Sequence, residues 1–387
     1  MDTANRQRSL FVILVAIAVC GVGWGLSMPL FALLMKAMGA SSSLIGFNTA
    51  VPALSALAVT PVLPSLMRRF GIRRVLLTCL LCLIAFISMM PLVDAMWLWF
   101  PLRFVFGMAI AGMFVATEIW INLIAEDHNR GRIIGLYGTG LAGGFALGTL
   151  TLATLGSAGW PPVVAGAGIF ALATGLLTVV RPQVPTLEPT EDPSLLPYMV
   201  AAPTVMAAGI VFGAVEMGIF TLLPVYGLQA GLAENASTGL LVAVAAGNVA
   251  LQVPLGMLAD RINKRAVLGL CGGAGLVGAL AVPVLLDHPI ALYSTLFVMG
   301  GVIVGLYTIS LVIIGDRLRG NDVAGANAAF IMMYGVGSLF GPLAAGPAMD
   351  VWRPHGLMAV LGGLSLAFLV VLLARTGRRH PRRIVEP

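Results

Sequence analysis

Two stretches of the sequence decide the fold, because one repeats the other. Residues 64–74 read PSLMRRFGIRR, and residues 256–265 read GMLADRINKR. They begin 192 residues apart, which is close to half of the 387-residue chain. The pairs that match at this offset are Leu66 with Leu258, Arg69 with Arg261 and Arg73 with Arg265. A repeat at half the chain length predicts two copies of one folding unit.

The composition excludes a soluble globular protein. Hydrophobic residues make up 59% of the chain and charged residues 10%, and the mean hydropathy is +0.99. A soluble domain has about 25% charged residues, so most of this surface must face lipid. The sequence predicts an all-α integral membrane protein whose twelve spans form two pseudo-symmetric six-helix bundles. The predicted spans cover residues 10–34, 44–67, 75–93, 97–124, 133–155, 162–180, 199–226, 237–259, 266–286, 290–314, 324–349 and 355–374.

The distribution of charge predicts the orientation in the membrane. Nineteen of the 22 lysine and arginine residues fall on the side that holds both chain ends, against two on the opposite side. Because cytoplasmic loops are rich in these residues, we expect both termini in the cytoplasm. The predicted parts are an N-terminal bundle (1–181), a proline-rich cytoplasmic linker (182–198), a C-terminal bundle (199–375) and a basic cytoplasmic tail (376–387). We interpret the tail as a topology and lipid-surface signal.

The repeated stretch resembles the signature loop of the major facilitator superfamily, G-x-L-A-D-R-x-G-R-K, which joins spans 2 and 3. The second copy is close to it, with Asn263 in the place of a glycine, whereas the first copy has Pro64 and Arg68 in place of the first glycine and the acid. Two shorter family motifs match at residues 103–107 (RFVFG) and 337–342 (GSLFGP). The resemblance implies the major facilitator fold and a gating role for both loops. The gating residues that it implies are Asp260, Arg261, Arg265, Arg69, Gly71 and Arg73.

A narrower resemblance lies in span 4 and in the loop after it. Residues 117–122 read TEIWIN, and residues 129–132 read NRGR. They are similar to a bacterial branch of the superfamily with an E-x-W-[IL]-N motif followed by R-G-R. The branch implies a multi-pass protein of the bacterial inner membrane, but it names no substrate.

Glu216 is the first of three ionisable residues inside predicted spans, where each costs about 2.5–3.5 kcal/mol at a helix centre. It lies slightly beyond the middle of span 7, with Phe212 and Phe220 one turn away on either side. A carboxyl group in an apolar span favours its neutral form. Glu216 is therefore a candidate to carry a coupling proton or to pair with the substrate, and the alternative is a structural hydrogen bond.

Glu118 and Arg103 lie on span 4, and each permits more than one interpretation. Glu118 is near the predicted cytoplasmic end, where it can pair with Arg73 or Arg74 as an inner gate or else contact cargo or protons. Arg103, 15 residues earlier, can bind an anionic group or act on a nearby acid. Its alternatives are an internal pair or a side chain that extends to the membrane interface.

The resemblance implies that spans 1, 4, 7 and 10 line a central cavity. Their middles contribute Trp24 and Phe31 from span 1 and Tyr307 from span 10. An aromatic, weakly polar lining suits a flat or amphipathic organic solute better than a sugar or a metal ion, which would need more amides, carboxylates or histidines. Core packing is the alternative for each ring.

Together these features predict a secondary active transporter that moves a small organic solute across the inner membrane by alternating access, coupled to protons as in symport. The alternatives are a drug or metabolite efflux antiporter and an uncoupled facilitator for a vitamin-like heterocycle. The sequence has no P-loop motif and no recognisable histidine cluster, so we do not expect an enzyme, a sensor, a cofactor or a metal. We expect a monomer whose partners are the solute, protons and membrane lipid, and not nucleic acid.

Overall fold

The computed structural model describes residues 3–124, 130–180, 196–317 and 321–376, and these ranges are almost entirely α-helical, with no β-strand among them. Twelve helical segments are long and apolar enough to cross a membrane. The expectation of an all-α membrane protein with twelve spans is therefore confirmed.

The helices of the N-terminal half are span 1 (Thr3–Ala37), span 2 (Ser42–Val59), a short helix (Leu63–Phe70), span 3 (Ile72–Met89), span 4 (Trp99–Ile124), span 5 (Arg130–Leu155) and span 6 (Pro161–Val179). Those of the C-terminal half are a short helix (Leu196–Ala201), span 7 (Pro203–Gln229), span 8 (Glu234–Arg261), span 9 (Lys264–Ala281), span 10 (Pro289–Ile303 and Gly305–Arg317), span 11 (Asn321–Val351) and span 12 (Gly356–Thr376). Most of the predicted linker and of the basic tail lies outside the described residues, so the domain boundaries stay a prediction.

Span 2 is shorter than the sequence predicts. The apolar stretch continues to residue 67, but the helix ends at Val59 and a second helix begins at Leu63. Pro61 explains the break, because proline has no N–H to donate to the preceding turn and its ring crowds that turn. Pro64 then occupies the first turn of the new helix, where proline is tolerated.

Glycine seams hold each half together, and equivalent pairs of spans form them. Spans 1 and 5 pack against each other in the first half, as spans 7 and 11 do in the second. A Cβ atom at any seam glycine would overlap the backbone of the facing helix. Glycine thus lets these helices approach more closely than other residues would allow. The seam glycines are Gly21, Gly25, Gly144 and Gly148 in the first half and Gly213, Gly337 and Gly341 in the second.

The two repeated loops differ at the glycine position of the signature for a conformational reason. Gly71 has a φ of +85°, in the left-handed region that favours glycine, and it separates the short helix from span 3. Its counterpart Asn263 has a φ of −59°, so no glycine is needed there. The side chain of Asn263 accepts a hydrogen bond from the Arg265 N–H at 2.9 Å, and it caps the start of span 9.

Hydrogen bonds join the two halves at the end of the bundle opposite the repeated loops. We call this end the far face and the end with the repeated loops the basic face. The carboxylate of Asp350, at the end of span 11, accepts hydrogen bonds from the N–H groups of Ser42 and Ser43, both at 2.8 Å, and from the Ser43 hydroxyl at 2.6 Å. On the other side of the same face, the Ser157 N–H donates to Glu234 at 2.6 Å.

Small residues allow the helices to close at the far face. A Cβ atom at Gly46 of span 2 would overlap the carbonyl oxygen of Pro342, and one at Gly346 of span 11 would overlap that of Ser42. The acid of Asp350 also lies at the N-terminus of span 2, where the helix dipole favours negative charge. We refer to the Asp350 hydrogen bonds and these two glycine contacts as the far-face seal.

Candidate substrate and coupling site

Glu216 is the one partly exposed residue in an otherwise buried stretch of span 7. Every residue from Val211 to Gly227 except Glu216 is buried. Glu216 lies deep in the bundle and yet keeps part of its surface exposed. A side chain that is both deep and exposed borders a gap between helices. We call this the central gap and define it by Glu216, Tyr307, Tyr334 and Glu118.

Tyr334 of span 11 is the partner of Glu216, a contact that the sequence does not predict. Its hydroxyl donates a hydrogen bond to Glu216 Oε2 at 2.6 Å. The close approach of spans 7 and 11 makes this contact possible, because a Cβ atom at Gly213 would overlap the Tyr334 carbonyl oxygen. In the sequence, Tyr334 precedes the seam glycine Gly337 by three residues, but that spacing does not identify a partner.

Aromatic rings surround the Glu216–Tyr334 pair. The ring centroid of Phe212, one turn before Glu216, lies 5.6 Å from that of Tyr307 and 5.9 Å from that of Tyr334. Tyr307 and Tyr334 meet edge to face at 5.9 Å, and Phe330 packs on Tyr307 at 5.2 Å. The structure therefore brings the predicted residues Phe212 and Tyr307 together with Glu216, and it adds Tyr334 and Phe330.

Span 10 has a local irregularity beside this cluster, although Val304 keeps a helical φ of −59° and ψ of −22°. Its first segment ends at Ile303 and its second begins at Gly305. The carbonyl oxygen of Val304 accepts hydrogen bonds from the N–H groups of both Tyr307, at 3.0 Å, and Thr308, at 3.1 Å. The helix is locally tightened one turn before Tyr307.

Glu118 borders the central gap from the N-terminal half. The side chain of Glu118 is partly exposed. Tyr307 lies close enough to both Glu118 and Glu216 for a charge on either acid to act on its hydroxyl group. Next to it, the Thr117 and Tyr137 hydroxyl oxygens lie 3.1 Å apart. The gap thus receives one acid from each half.

Arg73 does not pair with Glu118 in this structure, although both residues are described. Its guanidinium donates instead to the carbonyl oxygens of Leu177, at 2.9 Å, and Thr178, at 3.0 Å. These bonds cap the end of span 6. The inner-gate pairing stays a prediction for a state in which the basic face is closed.

Arg103 lies in an aromatic cluster of the N-terminal half. It is 0% exposed, and its Cζ atom lies 4.1 Å from the ring centroid of Phe31 and 5.8 Å from that of Phe106. One guanidinium nitrogen donates to the Met28 sulfur at 3.3 Å, and Nε and Nη1 have no hydrogen-bond partner among the described residues. Cation–π contacts therefore take the place of an acidic partner. Arg103 and Phe31 are both buried away from solvent in this state.

Phe220 and Trp24 lie outside the ring cluster around Glu216. The Phe220 ring packs on Phe145 of span 5, with centroids 4.2 Å apart, and so joins the two halves. Trp24 is partly buried against the hydrophobic core. Their assignment to the site stays a prediction.

The predicted gating residues lie at the basic face. Their side chains are exposed at Asp260, Arg261, Arg265 and Arg69, and Arg73 is partly exposed. Among the described residues of this region, Lys264 and Asp316 form an ion pair, and their charged atoms lie 3.0 Å apart. This pair ties the start of span 9 to the end of span 10.

Similar proteins agree with this architecture. The chain is 24% identical over 382 residues to the "Uncharacterized MFS-type transporter YfkF" of Bacillus subtilis, covering 94% of this chain and 95% of that one. It is 26% identical over 288 residues to the "Uncharacterized MFS-type transporter YcaD" of Salmonella heidelberg, covering 73% of each chain.

Solved transporter structures share the fold. The nucleoside transporter NupG superposes with a TM-score of 0.77 at 12% identity, over 98% of this chain and 100% of that one. A bacterial homologue of the human lysosomal transporter Spinster, in an inward-facing and unoccupied conformation, gives 0.76 at 13% identity, over 97% and 96%. A sequence model of the Major Facilitator Superfamily matches residues 13–248 and 235–387. The chain therefore belongs to the major facilitator superfamily, a family of multi-pass membrane transporters for small molecules.

Proposed function

We propose that this chain is a proton-coupled secondary transporter that carries a small aromatic or amphipathic organic solute across the inner membrane of a bacterium. The observation that supports this proposal is the Glu216–Tyr334 pair, an acid deep in span 7 that is partly exposed to the central gap and surrounded by rings. An ionisable residue inside a membrane span is costly, and it is commonly part of a substrate or proton pathway.

The hydrogen bond from Tyr334 is compatible with proton exchange by Glu216. A phenol hydroxyl can donate a hydrogen bond to an ionised carboxylate or accept one from a protonated carboxyl group. The 2.6 Å contact can therefore persist in both protonation states of Glu216. An acid whose partner tolerates both states can take up a proton on one side of the membrane and release it on the other.

The far-face seal supports alternating access as the mechanism. It closes one end of the bundle through hydrogen bonds to a carboxylate that are each worth about 1.5–3 kcal/mol, so it can open without unfolding either half. The excess of basic residues favours a cytoplasmic position for the basic face. In that orientation this structure is closed on the periplasmic side.

The test is transport by purified protein in proteoliposomes. A metabolite and vitamin library that includes nucleosides is first screened for thermal stabilisation, because a ligand of the folded state raises the melting temperature. A radiolabelled form of a stabilising solute is then used for counterflow and for accumulation driven by a pH gradient.

We expect Glu216→Gln to lose accumulation driven by the pH gradient and to retain part of the solute exchange. Glutamine keeps an oxygen that can accept the Tyr334 hydroxyl but cannot ionise, which limits structural damage. Asp94→Asn changes an exposed acid and is the matched control, with unchanged transport. Normal accumulation by Glu216→Gln would contradict proton coupling through this residue and favour an uncoupled facilitator.

A further inference from the structure

We infer that the central gap binds the charged part of a planar organic cation, with Glu216 and the rings of Tyr307 and Tyr334 as the subsite and the buried ring of Phe212 packed against both tyrosines. This inference rests on the proposed transport function and names the class of its cargo. It depends on three separate features of the site: its charge, its rings and the orientation of its acid.

The charged side chains that border the central gap are all acidic. Away from the helix ends, the described spans contain three charged residues, Arg103, Glu118 and Glu216. Arg103 is fully buried against Phe31 and Phe106, whereas both acids are partly exposed. An anionic solute would meet carboxylates without a basic partner. A cation would neutralise charge in a region where an unpaired carboxylate is costly.

The rings supply a second source of attraction for a cation. The ring centroids of Phe212, Tyr307 and Tyr334 lie 5.6–5.9 Å apart. The side chains of Tyr307 and Tyr334 are partly exposed beside Glu216. The faces of aromatic rings carry negative potential and attract ammonium and N-alkylated heterocyclic groups. Because Tyr307 and Tyr334 are partly exposed, a flat solute can stack on one of these rings. A planar cation can stack on a ring in this way, whereas a spherical cation cannot.

The hydrogen bond from Tyr334 sets the orientation of the acid. It occupies Oε2 of Glu216, and no described residue donates to Oε1. Tyr334 therefore acts as a positioning residue, which holds the carboxylate while one oxygen is left for a ligand. A solute with a positive nitrogen in or beside an aromatic ring could contact this oxygen and a ring at the same time.

The test compares a cation with its neutral isostere. Methylphenylpyridinium and methylbiphenyl have nearly the same shape and differ by one positive charge. Binding of each to the purified full-length protein is measured from the ligand concentration that gives half-maximal thermal stabilisation. The inference predicts that the cation binds at least about tenfold more tightly than the isostere.

Variants assign the effect to the proposed residues. We expect Glu216→Gln and Tyr307→Leu each to weaken cation binding by about tenfold, whereas Tyr307→Phe keeps the ring and stays near the wild-type affinity. Tyr307→Phe also controls for loss of folding. Equal binding of cation and isostere, an absence of cation binding, or undiminished cation binding by Glu216→Gln would overturn the inference. Counterflow of a neutral solute after such a result would leave the proposed transport function intact.

Discussion

Arg103 shows how a charged residue can be accommodated inside a span without an acidic partner. The rings of Phe31, Phe86, Phe106 and Trp99 form one cluster, in which the Phe31 centroid lies 5.0 Å from Phe86 and 5.2 Å from Trp99. The guanidinium lies over the Phe31 ring, and the whole side chain is buried. In the sequence Trp99 and Phe106 lie close to Arg103, but nothing there shows that Phe31 of span 1 and Phe86 of span 3 complete the cluster.

We expect Arg103→Met to fold with an unchanged or higher melting temperature. Methionine has a similar length and packs well against rings, and it removes a buried charge with two unpaired nitrogens. Arg103→Glu should lower the melting temperature, because it places an anion against ring faces of negative potential. Thermal unfolding in detergent measures both variants. A marked loss of stability in Arg103→Met would show that the guanidinium has a partner essential to the fold.

At the scale of single residues, the sequence does not predict that Tyr334 is the partner of Glu216. Glu216 is identifiable from the sequence because an acid in an apolar span is rare. Its partner lies 118 residues away on another helix, and the sequence does not reveal which helices face each other. The role of Asp350 was not predictable for the same reason, since its hydrogen bonds to Ser42 and Ser43 join opposite halves of the chain.

At the scale of helices, the seam between spans 7 and 11 holds the site together. The backbone of span 11 approaches span 7 at Gly213, Gly337 and Gly341, and the same approach brings Tyr334 to Glu216. A change that separates these helices should therefore affect both stability and the site.

We expect Gly337→Ala to destabilise the protein by about 1–3 kcal/mol, because its Cβ would overlap the Ile210 carbonyl oxygen. Gly335→Ala is the matched control on the same helix, since no atom lies within 4 Å of its added Cβ and alanine favours helix. Thermal unfolding distinguishes the two. Equal stability of both variants would contradict a close-packed seam at Gly337.

The helices themselves were largely predictable, whereas their interruptions were less so. Long apolar stretches locate all twelve spans, because a bilayer requires about 20 such residues. The early end of span 2 has a local cause in Pro61 that is visible in the sequence. The tightened turn of span 10 lies next to Gly305, where a Cβ atom would overlap the side chains of Leu255 and Cys271, so packing between helices accompanies it.

At the scale of the whole molecule, the two halves are closed against each other at the far face. The far-face seal and the hydrogen bond between Ser157 and Glu234 join helices of opposite halves. Within each half, the glycine seams are continuous packing contacts. This difference predicts that the halves move as units and that the contacts between them break and re-form.

The most direct test measures both faces of the molecule by electron paramagnetic resonance with pairs of spin labels. Labels at Asp94 and Asp287 report the far face, and labels at Phe70 and Ile262 report the basic face; all four positions are exposed and each pair joins opposite halves. Alternating access predicts that Asp350→Ala lengthens the far-face distance and shortens the basic-face distance, because it removes the acid of the seal. Distances that stay fixed in Asp350→Ala, or that lengthen at both faces together, would contradict the account.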